Sequence, residues 1–424
     1  MRVARRLGLI DVLAIGVNAI VGSGVFSLPD DMHREMGGFS PLAFLLCALV
    51  LIPVALCFGE LSSRTDRTGG PYIYATEAFG REVGYIVGWS CYLNAFLSFA
   101  ANSTQLGELM GLGQTAWFRP VVIAIVLGLG AINYVGVRPG AIVIVVMTVG
   151  KLLAIMLFIG AALTTFDSSQ LGGSLPHGTS GVANGVYLAL FPFQGFEVVP
   201  VPAGETKNPE RNVPLGTIGS LLFAALLYVV VQATLVASYP NLGAESERPL
   251  VDAARHIAPI LGVMVLIGSV VSVGGFTAGS ALGSPRYAQA IADTGQLPSQ
   301  LSRVHPRFGT PYIAIVVTTI VTAVLATFFT YRELVGFSNV TVVFQYAVTC
   351  LAVVVLRRKQ PEIRPKFRVP FGPILPILGF VGSIALLFGS NRQEFLYAAV
   401  GIALGVVIAW GAARVFGAEP NTPA

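Results

Sequence analysis

Three places in this sequence set unusual groups inside apolar stretches. The first is "NAIVGSGVFSLP", Asn18–Pro29, where Gly22, Ser23 and Gly24 interrupt a run that starts near Leu9. Glycine weakens a helix by about 1 kcal/mol relative to alanine, so the helix is expected to open there. The second is "ALFPFQGFEVVP", Ala189–Pro200. Pro192 has no backbone N–H to give, and Gly195 tolerates unwinding. An interrupted helix leaves main-chain N–H and C=O groups free. Half-helix N-termini favour carboxylates and half-helix C-termini favour cations. Two such breaks therefore suit a zwitterion such as an α-amino acid.

The third is Lys151 in "VVMTVGKLLAIMLF", the one basic residue inside an apolar stretch. At 1.5 Å per residue it sits roughly 15 Å from either end of its helix, too far to snorkel. Burying it in lipid would cost about 2.5–3.5 kcal/mol. It should face the protein interior and donate to carbonyls or a carboxylate. The proton affinity of a lysine responds to burial, so Lys151 is a candidate proton carrier. The alternative is a permanently charged lysine that ties its helix to a neighbour.

The elements that hold these residues follow from composition. Of the 424 residues 54% are hydrophobic and 11% charged, with mean hydropathy +0.75. Soluble domains carry about 25% charged residues. The chain reads as an all-α polytopic membrane protein, because lipid offers no partner for unpaired backbone groups. The alternating segments of a β-barrel are not seen. About twelve spans are predicted: 9–30, 39–61, 83–106, 120–136, 141–163, 182–203, 214–237, 256–284, 311–330, 333–356, 371–389 and 393–415. The first run is read as a retained helix, with no cleavage signal after it.

The breaks fall in spans 1 and 6, five spans apart. Matching interruptions predict an inverted repeat of five plus five helices within a single membrane domain, 1–424. Residues 9–163 form the first repeat, 182–356 the second, and 371–415 two extra C-terminal helices. Arg34, Arg119, Arg248, Arg255, Arg332 and Arg392 fall on one side of the membrane, and every other Lys or Arg except Lys151 on the opposite side. The positive-inside rule then puts both termini in the cytoplasm. The net charge of +5 resides in loops and is no argument for nucleic acid. Cys47, Cys57, Cys91 and Cys350 lie in apolar runs and read as packing residues. The scattered histidines suggest no metal site and no cofactor. The basic linker "RRKQPEIRPKFRVP", Arg357–Pro370, reads as a solvated loop, with contact to anionic lipid the alternative, and Glu60 and Arg64 as an i,i+4 ion pair.

Four stretches in order resemble the amino acid–polyamine–organocation transporter family, which has the LeuT-type fold. "GVNAIVGSGVFSLP" is similar to its broken first helix. "GELSSRTDRTGGPYIYATEAFGREVGYIVGW" is similar to the connection from helix two to helix three. "FQGFEVVPVPAGETKNPERNVPLG" resembles helix six, and "SPRYAQAIADTGQLPSQLSRVHPRFGTPY" the loop after helix eight. The resemblance implies a substrate carboxylate on the N–H groups of Gly22, Ser23 and Gly24. It implies the amino group on carbonyls of the Phe191–Gln194 break and of nearby helix one, at Ile20 and Val21. Phe193, Gln194 and Asn18 are candidates to line the side-chain pocket, with core packing the alternative. Gly195 forms the second turn. Glu197, at the family's acidic position, either faces the path or is bonded to the backbone of the break.

Relatives with a lysine like Lys151 are sodium-independent, its ammonium standing where others bind sodium. The resemblance thus implies an amino acid transporter of the cell membrane, proton-coupled and sodium-independent, working by alternating access. Helices 1, 2, 6 and 7 would rock against helices 3, 4, 8 and 9. Neutral side chains are favoured, because no acidic cluster marks a cationic pocket. An exchanger without net proton coupling, a sodium-coupled symporter using Ser272 and Thr277, and a sensor that binds without transporting remain alternatives. No H-E-x-x-H or G-x-x-x-x-G-K motif supports an enzyme. Oligomeric state is not legible.

Overall fold

The structure, a computed structural model, describes residues 7–64, 70–136, 141–200 and 206–416, with backbone alone for 141–146 and 412–416. Arg2, Arg5, Arg6, Arg67 and Arg138, used in the charge count above, lie outside these residues, as does the side chain of Arg414. Among the described residues eight helices are long and apolar enough to cross a membrane, and three more are shorter apolar helices. The protein is all-helical, apart from two isolated bridges, and polytopic.

In chain order the helices are α1 Leu9–Ile20, α2 Gly24–Ser27, α3 Pro29–Met36, α4 Pro41–Arg64, α5 Pro71–Phe79 and α6 Arg81–Leu109. They continue as α7 Phe118–Val135, α8 Ala141–Ala162, α9 Gly178–Phe193, α10 Pro209–Ser238 and α11 Pro249–Ile257. The last are α12 Pro259–Asp293, α13 Tyr312–Phe328, α14 Tyr331–Lys359, α15 Ile374–Leu386 and α16 Arg392–Phe416. Proline opens α3, α5, α10 and α11, where its missing N–H would be unpaired in any case.

The chain divides into two compact units. The first comprises 1–84, 151–269 and 343–390, and the second 85–150, 270–342 and 391–424. In the first, α10 packs along α4 and α1, while α9 packs on α3 and α4. In the second, α7 lies against α13.

Three expectations need correction. The eighth span does not end at Ser284, since α12 runs on to Asp293 through Pro285. A proline inside a helix leaves the carbonyl four residues back without its donor. That carbonyl, on Ala281, accepts instead from Nδ2 of Asn133 at 2.8 Å, so the helix continues. Glu60 does not pair with Arg64. Its carboxylate takes Nε of Arg357 at 2.8 Å and Nη2 at 2.5 Å, while Arg64 reaches carbonyls of Leu356, Gln360 and Ile363. Nor is the linker after α14 a free loop. The N–H of Val369 donates to Glu60 at 2.7 Å, Ser63 donates to the carbonyl of Phe367, and Lys359 donates to the carbonyl of Ala78. Glu60 is wholly buried, and a buried carboxylate is tolerated only when paired and hydrogen-bonded, as it is here by Arg357 and Val369.

Candidate functional site

The first break is a tight turn. Val21 still donates to Val17, but its φ of −76° and ψ of 86° swing the chain out of the helix. The N–H of Gly22, which an unbroken helix would give to Asn18, goes to Ile20 at 2.8 Å. This is an inverse γ-turn, and it leaves the carbonyl of Asn18 without its helical donor. The ammonium of Lys151, from the middle of α8, fills the gap. It donates to Asn18 at 2.9 Å and to Val21 at 2.7 Å. Lys151 is 2% exposed and forms no ion pair among the described residues. Carbonyl dipoles alone face its charge there.

The second break follows Phe193, where α9 ends. Gln194 is extended, with ψ 142°, and Gly195 has φ +123°, a conformation open to glycine and strained for other residues. A single 3-10 turn, Phe196–Val198, follows. The N–H of Gly195 donates to Oε2 of Glu197 at 2.8 Å, and the hydroxyl of Tyr346 donates to the same oxygen at 2.9 Å. Of the two sequence readings of Glu197, this is the geometry of the backbone-bonded one.

The two breaks touch. A Cβ on Gly24 would lie 2.6 Å from Cγ and 2.9 Å from Cα of Pro192, and a Cβ on Gly195 would strike the carbonyl of Ala19. Each glycine is thus needed for close approach to the other interrupted segment. The hydroxyl of Tyr228, from α10, spans both, at 3.0 Å from the carbonyl of Ile20 and 3.0 Å from that of Pro192. Its single proton is shared between two acceptors that helix rupture has freed. Phe44, Phe193 and Tyr228 pack edge-on or tilted around this point with ring centroids 5.2–6.0 Å apart.

The expected site residues are therefore gathered from distant parts of the chain. Ile20, Val21, Gly22, Ser23 and Gly24 form one turn, while Phe191, Phe193, Gln194, Gly195 and Glu197 form the other, and Lys151 braces the first. Phe193 is fully buried in the aromatic cluster. Phe191, Gln194 and Ser23 are buried and engaged in further contacts. Thr277 turns its hydroxyl onto its own helix at Val273, and the Ser272 hydroxyl has no hydrogen-bond partner among the described residues. Among the described residues no group of His, Cys, Asp and Glu could hold a metal ion.

Tyr228 and Tyr346 escaped the sequence reading. Their signal was a hydroxyl inside a largely apolar helix, a polar group that needs a buried partner.

This layout, two interrupted helices face to face with a lysine on the first, accompanies a match across residues 7–411 to the family described as amino acid permease. The chain belongs to that family. It is a multi-pass membrane transporter of amino acids and not an enzyme. It is 28% identical to the branched-chain amino acid permease BcaP of Bacillus subtilis over 428 residues, covering 95% of this chain and 92% of the relative. It is 28% identical to the serine/threonine exchanger SteT of Bacillus subtilis, covering 95% and 94%. With the methylthioribose transporter of Bacillus subtilis the identity is 26%, covering 96% and 92%. Similarity to such different cargoes over the full length carries the family and leaves the substrate side chain open.

Proposed function

We propose that this permease is a sodium-independent, proton-coupled transporter of neutral amino acids in the cell membrane, with both termini cytoplasmic. The observation that carries the coupling is the ammonium of Lys151, bonded to the carbonyls of Asn18 and Val21 with no carboxylate paired to it among the described residues. A charge met only by dipoles favours a proton that can leave. Protonated, the lysine ties α8 to the first break. Neutral, it loses most of that hold, and the broken helix is released to move. An ammonium in this position also leaves no room for sodium.

The substrate carboxylate sits on the N–H groups of Gly22, Ser23 and Gly24, and the amino group on carbonyls of Ile20, Val21, Phe191 and Gln194. Glu197 already accepts from Gly195 and Tyr346, which supports a neutral over a cationic side chain. BcaP, a branched-chain amino acid permease, and SteT, a serine/threonine exchanger, point the same way. Twelve spans, ten in two inverted five-helix repeats and two more at the C-terminal end, and a rocking bundle of helices 1, 2, 6 and 7, complete the reading.

The name of SteT favours a second reading, obligatory exchange with Lys151 as a permanent tie. Purified protein in liposomes separates the two. Uptake of labelled leucine or serine, driven by an inward pH gradient into liposomes without internal amino acid, is the expected result. It should be lost with an uncoupler and be indifferent to sodium. Uptake that demands internal amino acid and ignores the gradient establishes exchange, and uptake that demands sodium overturns the role of Lys151.

A further inference from the structure

The basic run after α14 is sorted by the fold into two sets. Arg357, Lys359 and Lys366 are spent on protein: Arg357 on Glu60, Lys359 on the carbonyl of Ala78, and Lys366 on Glu210 at 2.5 Å. Arg358, Arg364 and Arg368 are exposed and have no partner among the described residues. From Arg364 to Pro370 exposure alternates. Arg364, Lys366 and Arg368 point outward, whereas Pro365 and Phe367 are half-buried and Val369 is buried. By this alternation one side of the strap is anchored and the other carries the charge. The anchor is firm: the ring of Phe367 lies against Gly59, and Val369 closes on Glu60.

The strap leads directly into α15. Phe371 and Ile374 are 74% and 58% exposed, and Ile377, Leu378 and Val381 continue an exposed apolar face at helical spacing. In a membrane protein such a face meets acyl chains. The arginines at its head therefore stand at the level of lipid headgroups. Glu362 is the one acidic residue of the strap, and Glu210 is already held by Lys366.

We propose that the strap 357–373 is a binding site for acidic phospholipid headgroups, with Arg358, Arg364 and Arg368 taking the phosphate and Phe371 and Ile374 seating the chains. The occupant is a lipid because the apolar face begins where the arginines end. The site is separate from the transport path and stands independently of the coupling proposed for Lys151.

The test compares wild type with the triple variant Arg358→Gln/Arg364→Gln/Arg368→Gln, each full length and reconstituted with mixed phosphatidylglycerol and phosphatidylcholine. Native mass spectrometry then counts the lipids that survive extraction. Wild type is expected to retain phosphatidylglycerol selectively, and the triple variant to lose that selectivity about a hundredfold, since each of the three surface cations contributes about fivefold. Replacing the same three residues by lysine should keep it. The control Arg303→Gln/Arg307→Gln, removing exposed arginines elsewhere, should leave it unchanged. Equal selectivity in wild type and the glutamine variant overturns the proposal. So does an equal loss in the control, or equally tight retention of glycerol phosphate, which has no acyl chain. Unfolding midpoints of all variants, read by thermal denaturation, exclude misfolding as the cause.

Discussion

The ammonium of Lys151 lies 2.7 Å from the carbonyl oxygen of Val21, a bond between residues 130 positions apart. Hydrogen bonds to charged groups contribute about 1.5–3 kcal/mol each. Lys151→Met leaves the carbonyls of Asn18 and Val21 without their charged donor. The variant is expected to fold with a lowered unfolding midpoint and to transport about tenfold more slowly or worse. Size-exclusion profiles and liposome uptake check both halves.

Tyr228 joins the two breaks by one hydroxyl. Tyr228→Phe keeps the ring among Phe44 and Phe193 and removes only the bond to Ile20 and Pro192. Two buried carbonyls then lose a donor, at about 1–3 kcal/mol. Thermal denaturation should show that loss, and uptake should fall with it. Tyr228→Ala should be worse by a further few kcal/mol, because the aromatic cluster collapses around a cavity.

Gly195→Ala meets two obstacles, a positive φ and the carbonyl of Ala19. Forced backbone of this kind costs about 1–3 kcal/mol, and the displaced turn should also abolish uptake. Gly160→Ala, in α8 with open space around it, is the control. It is expected to gain up to about 1 kcal/mol from helix propensity and to transport normally. Chemical denaturation and uptake on the two variants decide it.

Glu197 accepts from two donors at one oxygen. An amide oxygen can accept the same bonds, so Glu197→Gln should keep both fold and uptake, with an unchanged pH profile. Glu197→Ala should lose uptake, because the N–H of Gly195 loses its acceptor and Tyr346 loses its bond to the break. A shifted pH profile in the glutamine variant would instead give this carboxylate a share of the coupling.

Breaking the buried pair of Glu60 and Arg357 by Glu60→Gln should destabilise by about 3–5 kcal/mol. The double variant with Arg357→Gln should be less destabilised than the sum of the singles, the signature of direct contact. Denaturation of the four proteins completes the cycle.

The sequence by itself determined the solvent of this protein and the position of its breaks. Apolar runs demand helices, and glycine and proline inside them mark where helical bonding stops, since both effects act within a few residues. Lys151 was also legible, because a lone charge deep in a span must find acceptors. Which acceptors those are was decided only by the tertiary structure. The carbonyl of Asn18 is open because the N–H of Gly22 turns to Ile20, a local event, yet α8 supplies its new donor from far along the chain. Glu60 has Arg64 one turn away and binds Arg357 instead, since the wholly buried carboxylate accepts both Arg357 and the Val369 N–H. Tyr228 carried no recognisable motif. Its hydroxyl matters because folding brings two ruptured helix ends to one point, and no spacing along the chain encodes that meeting.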